Sequence, residues 1–199
     1  MQRWHPFLLI GSLALLLAAC AQAAPLSVGA QSADPTAAPE VSAMPGTDVS
    51  ANSAVVPNDP PDTCPVTPPP DPPFTPPPPY PQTAGEGYSW YGTDSLWMAV
   101  PKDGVWSALP HNPEGYTQKV FWWSKGYSLK DELEPQLSVA GRRLDAPAPP
   151  LNVSRATNAS AGDIGTAMLV GVDFPMLGCW EIMGIYKGHE LSFVVWVAP

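Results

Sequence analysis

Thr166-Ala167-Met168-Leu169-Val170-Gly171-Val172-Asp173-Phe174 sets Met168, Val170, Val172 and Phe174 at alternate positions, and Leu191-Ser192-Phe193-Val194-Val195-Trp196-Val197 does the same with Leu191, Phe193, Val195 and Val197. A period of two gathers these side chains on one face of an extended chain, so both segments read as strands half-buried against a core. Residues 179–186 between them have the same character, and Lys187-Gly188-His189-Glu190 supplies the loop of a hairpin. Further out, short apolar runs at 88–91, 96–100, 104–109, 119–123, 136–142 and 151–155 are separated by breakers at Lys102-Asp103-Gly104, His111-Asn112-Pro113 and 159–165. No run keeps a helical period for about ten residues, and a single helical turn fits only around 129–134. Seven to nine short strands in about 110 residues predict an all-β, immunoglobulin-like β-sandwich.

Composition divides the rest of the chain. Of 28 Pro among 199 residues, 14 fall between Pro57 and Pro81 and nine after Pro81. The sandwich domain is therefore expected at 82–199, carrying seven of the eight Trp and a net charge of −4 from 12 acidic and eight basic residues. The stretch from Cys20 to Pro81 adds six Asp or Glu and no Lys or Arg. Such an acid balance is a poor match to nucleic acid or to anionic lipid, and no partner of that kind is expected.

The chain begins with a single Arg in residues 1–5, then an apolar run from 7 to 17 that ends in Leu17-Ala18-Ala19-Cys20. That run is shorter than the roughly 20 apolar residues that span a bilayer, and it fits a secretory signal. Leu17-Ala18-Ala19-Cys20 resembles the lipobox of bacterial lipoproteins, which implies a signal peptide at 1–19, removal of that peptide and acylation of Cys20. Two or three acyl chains hold firmly where one holds marginally, so the mature protein is expected on a membrane through its N-terminal lipid, facing away from the cytoplasm. The anchor is expected in the cell membrane, or in the outer membrane if the host has one.

Residues 20–63 are built from Ala, Ser, Asp, Thr, Val and Pro with no aromatic and no basic residue, a composition that cannot build a core and predicts a disordered linker. Residues 64–81 change character, running from Cys64-Pro65-Val66-Thr67 through Phe74 to Tyr80-Pro81 with Pro at most other positions. Successive Pro fixes φ near −65° and removes donors, so this stretch is expected as a stiff polyproline strap reaching about 53 Å. Once Cys20 is lipidated, Cys64 and Cys179 are the two remaining thiols, and outside the cytoplasm such a pair reads as a disulfide, with two separate thiols as the alternative. If the bond forms, the strap is stapled to the domain and Phe74 and Tyr80 are placed to dock on it.

Gly178-Cys179-Trp180-Glu181, with the blocks Trp90-Tyr91-Gly92, Ser95-Leu96-Trp97 and Gly141-Arg142-Arg143-Leu144, resembles a group of bacterial surface proteins that share a Gly-Cys-Trp-Glu ending. The resemblance implies a β-sandwich in an exported or lipoprotein context. It implies no activity.

Chemistry-bearing patterns are few. The mature chain has two His, His111 and His189, and no Gly-x-Ser-x-Gly elbow; His189-Glu190 lacks the second His of a zinc-protease helix. No two of His111, His189, Cys64 and Cys179 lie within four residues, the spacing of strong zinc motifs, so no metal, cofactor or catalytic residue is expected. The one excess is aromatic. Trp90, Tyr91, Trp97, Trp122 and Trp123 are the candidate binding face, and because adjacent residues of a strand face opposite ways, Trp122 and Trp123 cannot both enter one core. The one left outside must be covered by the strap, a ligand or a partner. Trp180 is placed beside Cys179, where a core Trp packs on a disulfide in sandwich domains. The expected function is a tethered, non-catalytic binding or interaction module of the cell envelope, taking an envelope protein or a glycan. The alternatives are a hydrolase-like envelope enzyme with an undeclared site and a structural accessory subunit.

Overall fold

The computed structural model describes residues 55–199. The expected signal peptide at 1–19, the expected lipidation site at Cys20 and the expected linker as far as residue 54 lie outside the described residues. Eleven strands and no helix occur among the described residues. The larger sheet runs β1 (Tyr88–Thr93), β2 (Leu96–Pro101), β5 (Gly115–Trp123), β9 (Gly165–Phe174) and β7 (Asn152–Val153), with β4 (His111–Asn112) also on β5 and β8 (Thr157–Ala161) also on β9. In the smaller sheet the order is β3 (Val105–Trp106), β11 (His189–Val197), β10 (Gly178–Tyr186) and β6 (Ser138–Arg143). All pairings are antiparallel except β3 with β11.

The alternation of the central strands becomes the core. Leu96, Met98 and Val100 from β2, Val120 and Trp122 from β5, and Met168, Val170, Val172 and Phe174 from β9 form one wall. Trp180, Ile182 and Tyr186 from β10 with Phe193, Val195 and Val197 from β11 form the other. Burying such side chains fully is worth about 1.5–3 kcal/mol each. Gly184 is what admits the largest of them: a Cβ there would stand 2.5 Å from the Trp122 ring, which is fully buried.

Two expectations change. The last hairpin turns on two residues, Lys187 (φ 49°) and Gly188 (φ 79°), with Tyr186 paired to His189. Positive φ at both central positions is the tight turn whose twist matches that of paired strands, so His189 and Glu190 belong to β11. The expected breakers at 111–113 and 159–165 contain β4 and most of β8, polar edge strands whose Asn, Ser and Thr imitate loop composition. Around 129–134 the chain makes the one turn expected there, Ser128 C=O accepting from the Asp131 and Glu132 N–H groups.

Cys64 and Cys179 are joined, with Cα atoms 5.6 Å apart. Cys179 points away from the core, opposite to Trp180, and the indole against the disulfide is that of Trp196, its cross-strand partner. Trp180 is thus a core residue and not the disulfide's neighbour, because the pleat sends successive residues to opposite faces. Trp196 Nε1 donates to Pro57 C=O at 3.0 Å. Further along, Thr67 N–H donates to Val194 C=O (2.9 Å) and Thr67 Oγ1 accepts from Val194 N–H (2.8 Å), so the strap continues the edge of β11 beyond β3. It then crosses to the outer face of the larger sheet. The peptide bonds Asp71-Pro72 and Pro78-Pro79 within the strap are cis.

Candidate functional site

The five aromatic residues expected on one face divide between two. Trp122 and Tyr91 turn inward, the first fully buried in the core and the second packed on it. Trp90, Trp97 and Trp123 gather on the outer face of the larger sheet with Ala167. The register explains the division: Trp97 pairs with Trp123 and Trp90 with Ala99, which puts these three indoles on one side, while Met98 pairs with Trp122 and Tyr91 on the other. Trp90 meets Trp123 edge-on, ring centroids 5.0 Å apart.

Much of this outer face is already occupied by the strap. Tyr80 sets its ring edge-on to Trp97 at 4.9 Å, Phe74 lies 6.1 Å from the same indole, and Pro76 is buried. The Tyr80 hydroxyl donates to Ser124 C=O at 3.3 Å, and burial pushes its phenol pKa above the usual value. With Trp97 fully buried and Trp90 and Trp123 at 7% and 3% exposure, these three indoles are a covered layer.

The covering stops short of the neighbouring residues. Next to Trp123, a groove of about 260 Å³ is lined by Tyr88, Ala99, Phe121, Ile164 and Lys119 among others, and Tyr88 is 38% exposed. It opens where β2 and β5 part, their ladder ending at Met98 opposite Trp122. The indole of Trp106, from the smaller sheet, forms part of the wall. Trp106 is 4% exposed and its Nε1–H has no acceptor. By contrast, the Trp123 Nε1–H is satisfied by Ile164 C=O at 2.9 Å. Tyr88, Phe121 and Trp106 were not among the expected site residues. Phe121 was within reach of the alternation argument, since it lies two positions before Trp123 and must share its face.

A second hollow, about 400 Å³, is lined by Asp94, Ser95, Ser124, Lys125, Lys187 and His189. It assembles the residue types of a hydrolase without the hydrogen bonds of one. Ser124 Oγ accepts from Gly126 N–H at 3.0 Å, and Lys187 Nζ donates to Gly126 C=O at 2.8 Å and pairs with Glu132 at 3.2 Å. Among the described residues no hydrogen bond joins a serine to a histidine. His111 lies elsewhere, against Tyr116. Among the described residues no group of three His, Cys, Asp or Glu is placed to hold a metal ion.

The sequence blocks singled out above have structural work. Gly141-Arg142-Arg143 and Gly178-Cys179-Trp180-Glu181 meet across β6 and β10, Arg143 opposite Trp180 and Arg142 opposite Glu181. Arg142 pairs with Glu181 at 2.7 Å and Arg143 with Asp145 at 2.7 Å. Leu144 N–H donates to Cys179 C=O at 2.8 Å, which closes the junction beside the disulfide. Trp90-Tyr91-Gly92 faces Trp97 and its neighbours across the β1–β2 hairpin. Comparison with protein-family models, with curated proteins and with solved structures finds no match to this chain.

Proposed function

We propose that this chain is a lipid-anchored, extracytoplasmic protein whose sandwich serves the cell envelope as a non-catalytic binding or interaction module. The observation that carries the reading is the aromatic outer face of the larger sheet, covered by the strap over Trp97 and left open as a groove at Tyr88 and Phe121. Aromatic surface that is concave, partly exposed and served by an unsatisfied donor is the usual make-up of a recognition site. The Cys64–Cys179 bond lends weak support to an oxidising compartment. The Leu17-Ala18-Ala19-Cys20 box supports the anchor.

An immunoglobulin-like topology belongs to the same reading, supported by strand order. In such sandwiches the second, fifth and fourth strands share one sheet and the third, sixth and seventh the other. Here β5, β9 and β7 share one sheet, and β6, β10 and β11 the other, in matching chain order, with β4 pairing β5 as a first strand does. The resemblance to surface proteins with a Gly-Cys-Trp-Glu ending remains part of the proposal. The test has two arms. Radiolabelled palmitate is expected to enter the wild-type chain and not Cys20→Ala, and label absent from the wild type would refute the anchor. Full-length protein is expected to retain an envelope protein or cell-wall glycan that the Tyr88→Ala, Phe121→Ala double variant loses; equal retention by both would refute the binding face.

A further inference from the structure

We infer that the groove beside the strap takes a second proline-rich, extended peptide, carried by a partner protein and laid along the same sheet face as the strap. The inference rests on the binding-face reading and names its ligand. Its first support is continuity: Trp123 is shared by the strap-covered layer and by the groove, and Ala84, just past the end of the strap, lines the groove as well. The sheet face already accepts Pro76, Phe74 and Tyr80 in cis, so its shape and chemistry suit proline-rich chain at Ala99 and Phe121, the next residues of β2 and β5 on that face.

The second support is donor balance. The Nε1–H groups of Trp90, Trp97, Trp106 and Trp122 are buried without an acceptor, and of these four residues Trp106 lines the groove. Gln118 Oε1 already accepts one hydrogen bond, from the Lys119 N–H at 3.0 Å. No carboxylate lines the groove. An unpartnered donor in a site without a carboxylate suits a chain of prolines, which presents carbonyl oxygens and no N–H. Sugar hydroxyls, each a donor as well as an acceptor, would leave their protons unpartnered against the Phe121 ring. Pre-extended proline segments on aromatic-lined grooves lose little entropy on docking, so a groove this small can still bind.

The experiment titrates the full chain with decaproline, following tryptophan emission, beside a Gly-Ser decamer and a chito-oligosaccharide. Decaproline is expected to give a saturable change and the Gly-Ser decamer none. Phe121→Ala and Tyr88→Ala, with unchanged melting temperature, are expected to weaken binding by about tenfold each. Trp106→Phe, which keeps a ring and removes the donor, is expected to weaken it as well. No saturable response to decaproline at millimolar concentration overturns the inference. So does binding indifferent to Phe121 and Tyr88 but tightened by Tyr80→Ala, because the peptide would then be replacing the strap. If chito-oligosaccharide binds instead and depends on Phe121, the peptide inference falls and the binding face stands. If neither ligand binds and envelope retention is equal in wild type and double variant, both fall.

Discussion

Gly178 holds its backbone at φ 136°, and a Cβ built there would stand 2.6 Å from Arg143 Nε and 2.9 Å from Asp145 Oδ2. The first letter of the Gly-Cys-Trp-Glu block is therefore fixed by the ion pair lying over it. Gly178→Ala is expected to lower unfolding free energy by more than about 1 kcal/mol, whereas Gly162→Ala, with nothing within 4 Å, should leave it unchanged or raise it by up to about 1 kcal/mol; denaturant midpoints decide. The same corner carries a pH dependence. Burial raises the Asp145 carboxyl pKa, but hydrogen bonds from Arg143 and from Cys179 N–H outweigh it and hold the group below its usual range. Glu132 is held low in the same manner: desolvation is overcome by Gln136 N–H, the Tyr186 hydroxyl and Lys187. A depressed carboxylate contributes stability that is fully present above its unfolded-state pKa and is lost as pH falls through the folded-state value. Stability of the wild type should thus fall as pH drops below about 5, and the Asp145→Asn, Glu132→Gln double variant should show a flatter acid limb. An unchanged limb would remove both groups from the account.

Strands β9, β10 and β11 were legible because alternation and burial agree there: each even-numbered apolar residue of β9 from Met168 to Phe174 enters the core. Strand β8 was not legible, since Thr157-Asn158-Ala159-Ser160-Ala161 pairs mainly through its backbone and buries almost nothing. The aromatic face was legible only in half. Adjacency of Trp122 and Trp123 requires that they divide, but which one turns inward depends on Gly184 in the opposite sheet making room for Trp122. The strap's docking was readable from Cys64 and from its Phe and Tyr; its use as an edge strand was not, because one residue, Thr67, makes both hydrogen bonds to Val194. Thr67→Val keeps shape and main-chain N–H but removes the acceptor for Val194 N–H. We expect a loss of about 1 kcal/mol and faster hydrogen exchange at the Val194 amide, with amides at the centre of β10 unaffected. Unaltered exchange at Val194 would show that β11 needs no cover there.

At the scale of the whole molecule, each sheet of the sandwich has an outer apolar cluster, and the strap serves both by different means. On the smaller sheet it is held covalently, with Cys64 bonded to Cys179 beside Trp196. On the larger sheet it is held by Phe74 and Tyr80 against Trp97, and by chain continuity into β1 a few residues later. The two attachments are therefore separable. The disulfide closes a loop of sequence separation 115, for which loop-closure entropy gives about 4–5 kcal/mol as an upper figure, so Cys64→Ser should lower global stability markedly. Tyr80 lies close in sequence to β1 and donates to Ser124 C=O, so its docking has a short loop to close and should survive loss of the disulfide. Tyr80→Ala has the opposite profile, removing the ring over Trp97 while leaving the long loop closed. Iodide quenching of tryptophan emission at temperatures where both variants are folded separates the two. Cys64→Ser should have a lowered melting temperature with little gain in quenching, and Tyr80→Ala a clear gain in quenching with a smaller loss of stability. Equal quenching in the two variants would mean that the strap is held over the larger sheet by its covalent start, and that the aromatic layer opens and closes with the disulfide.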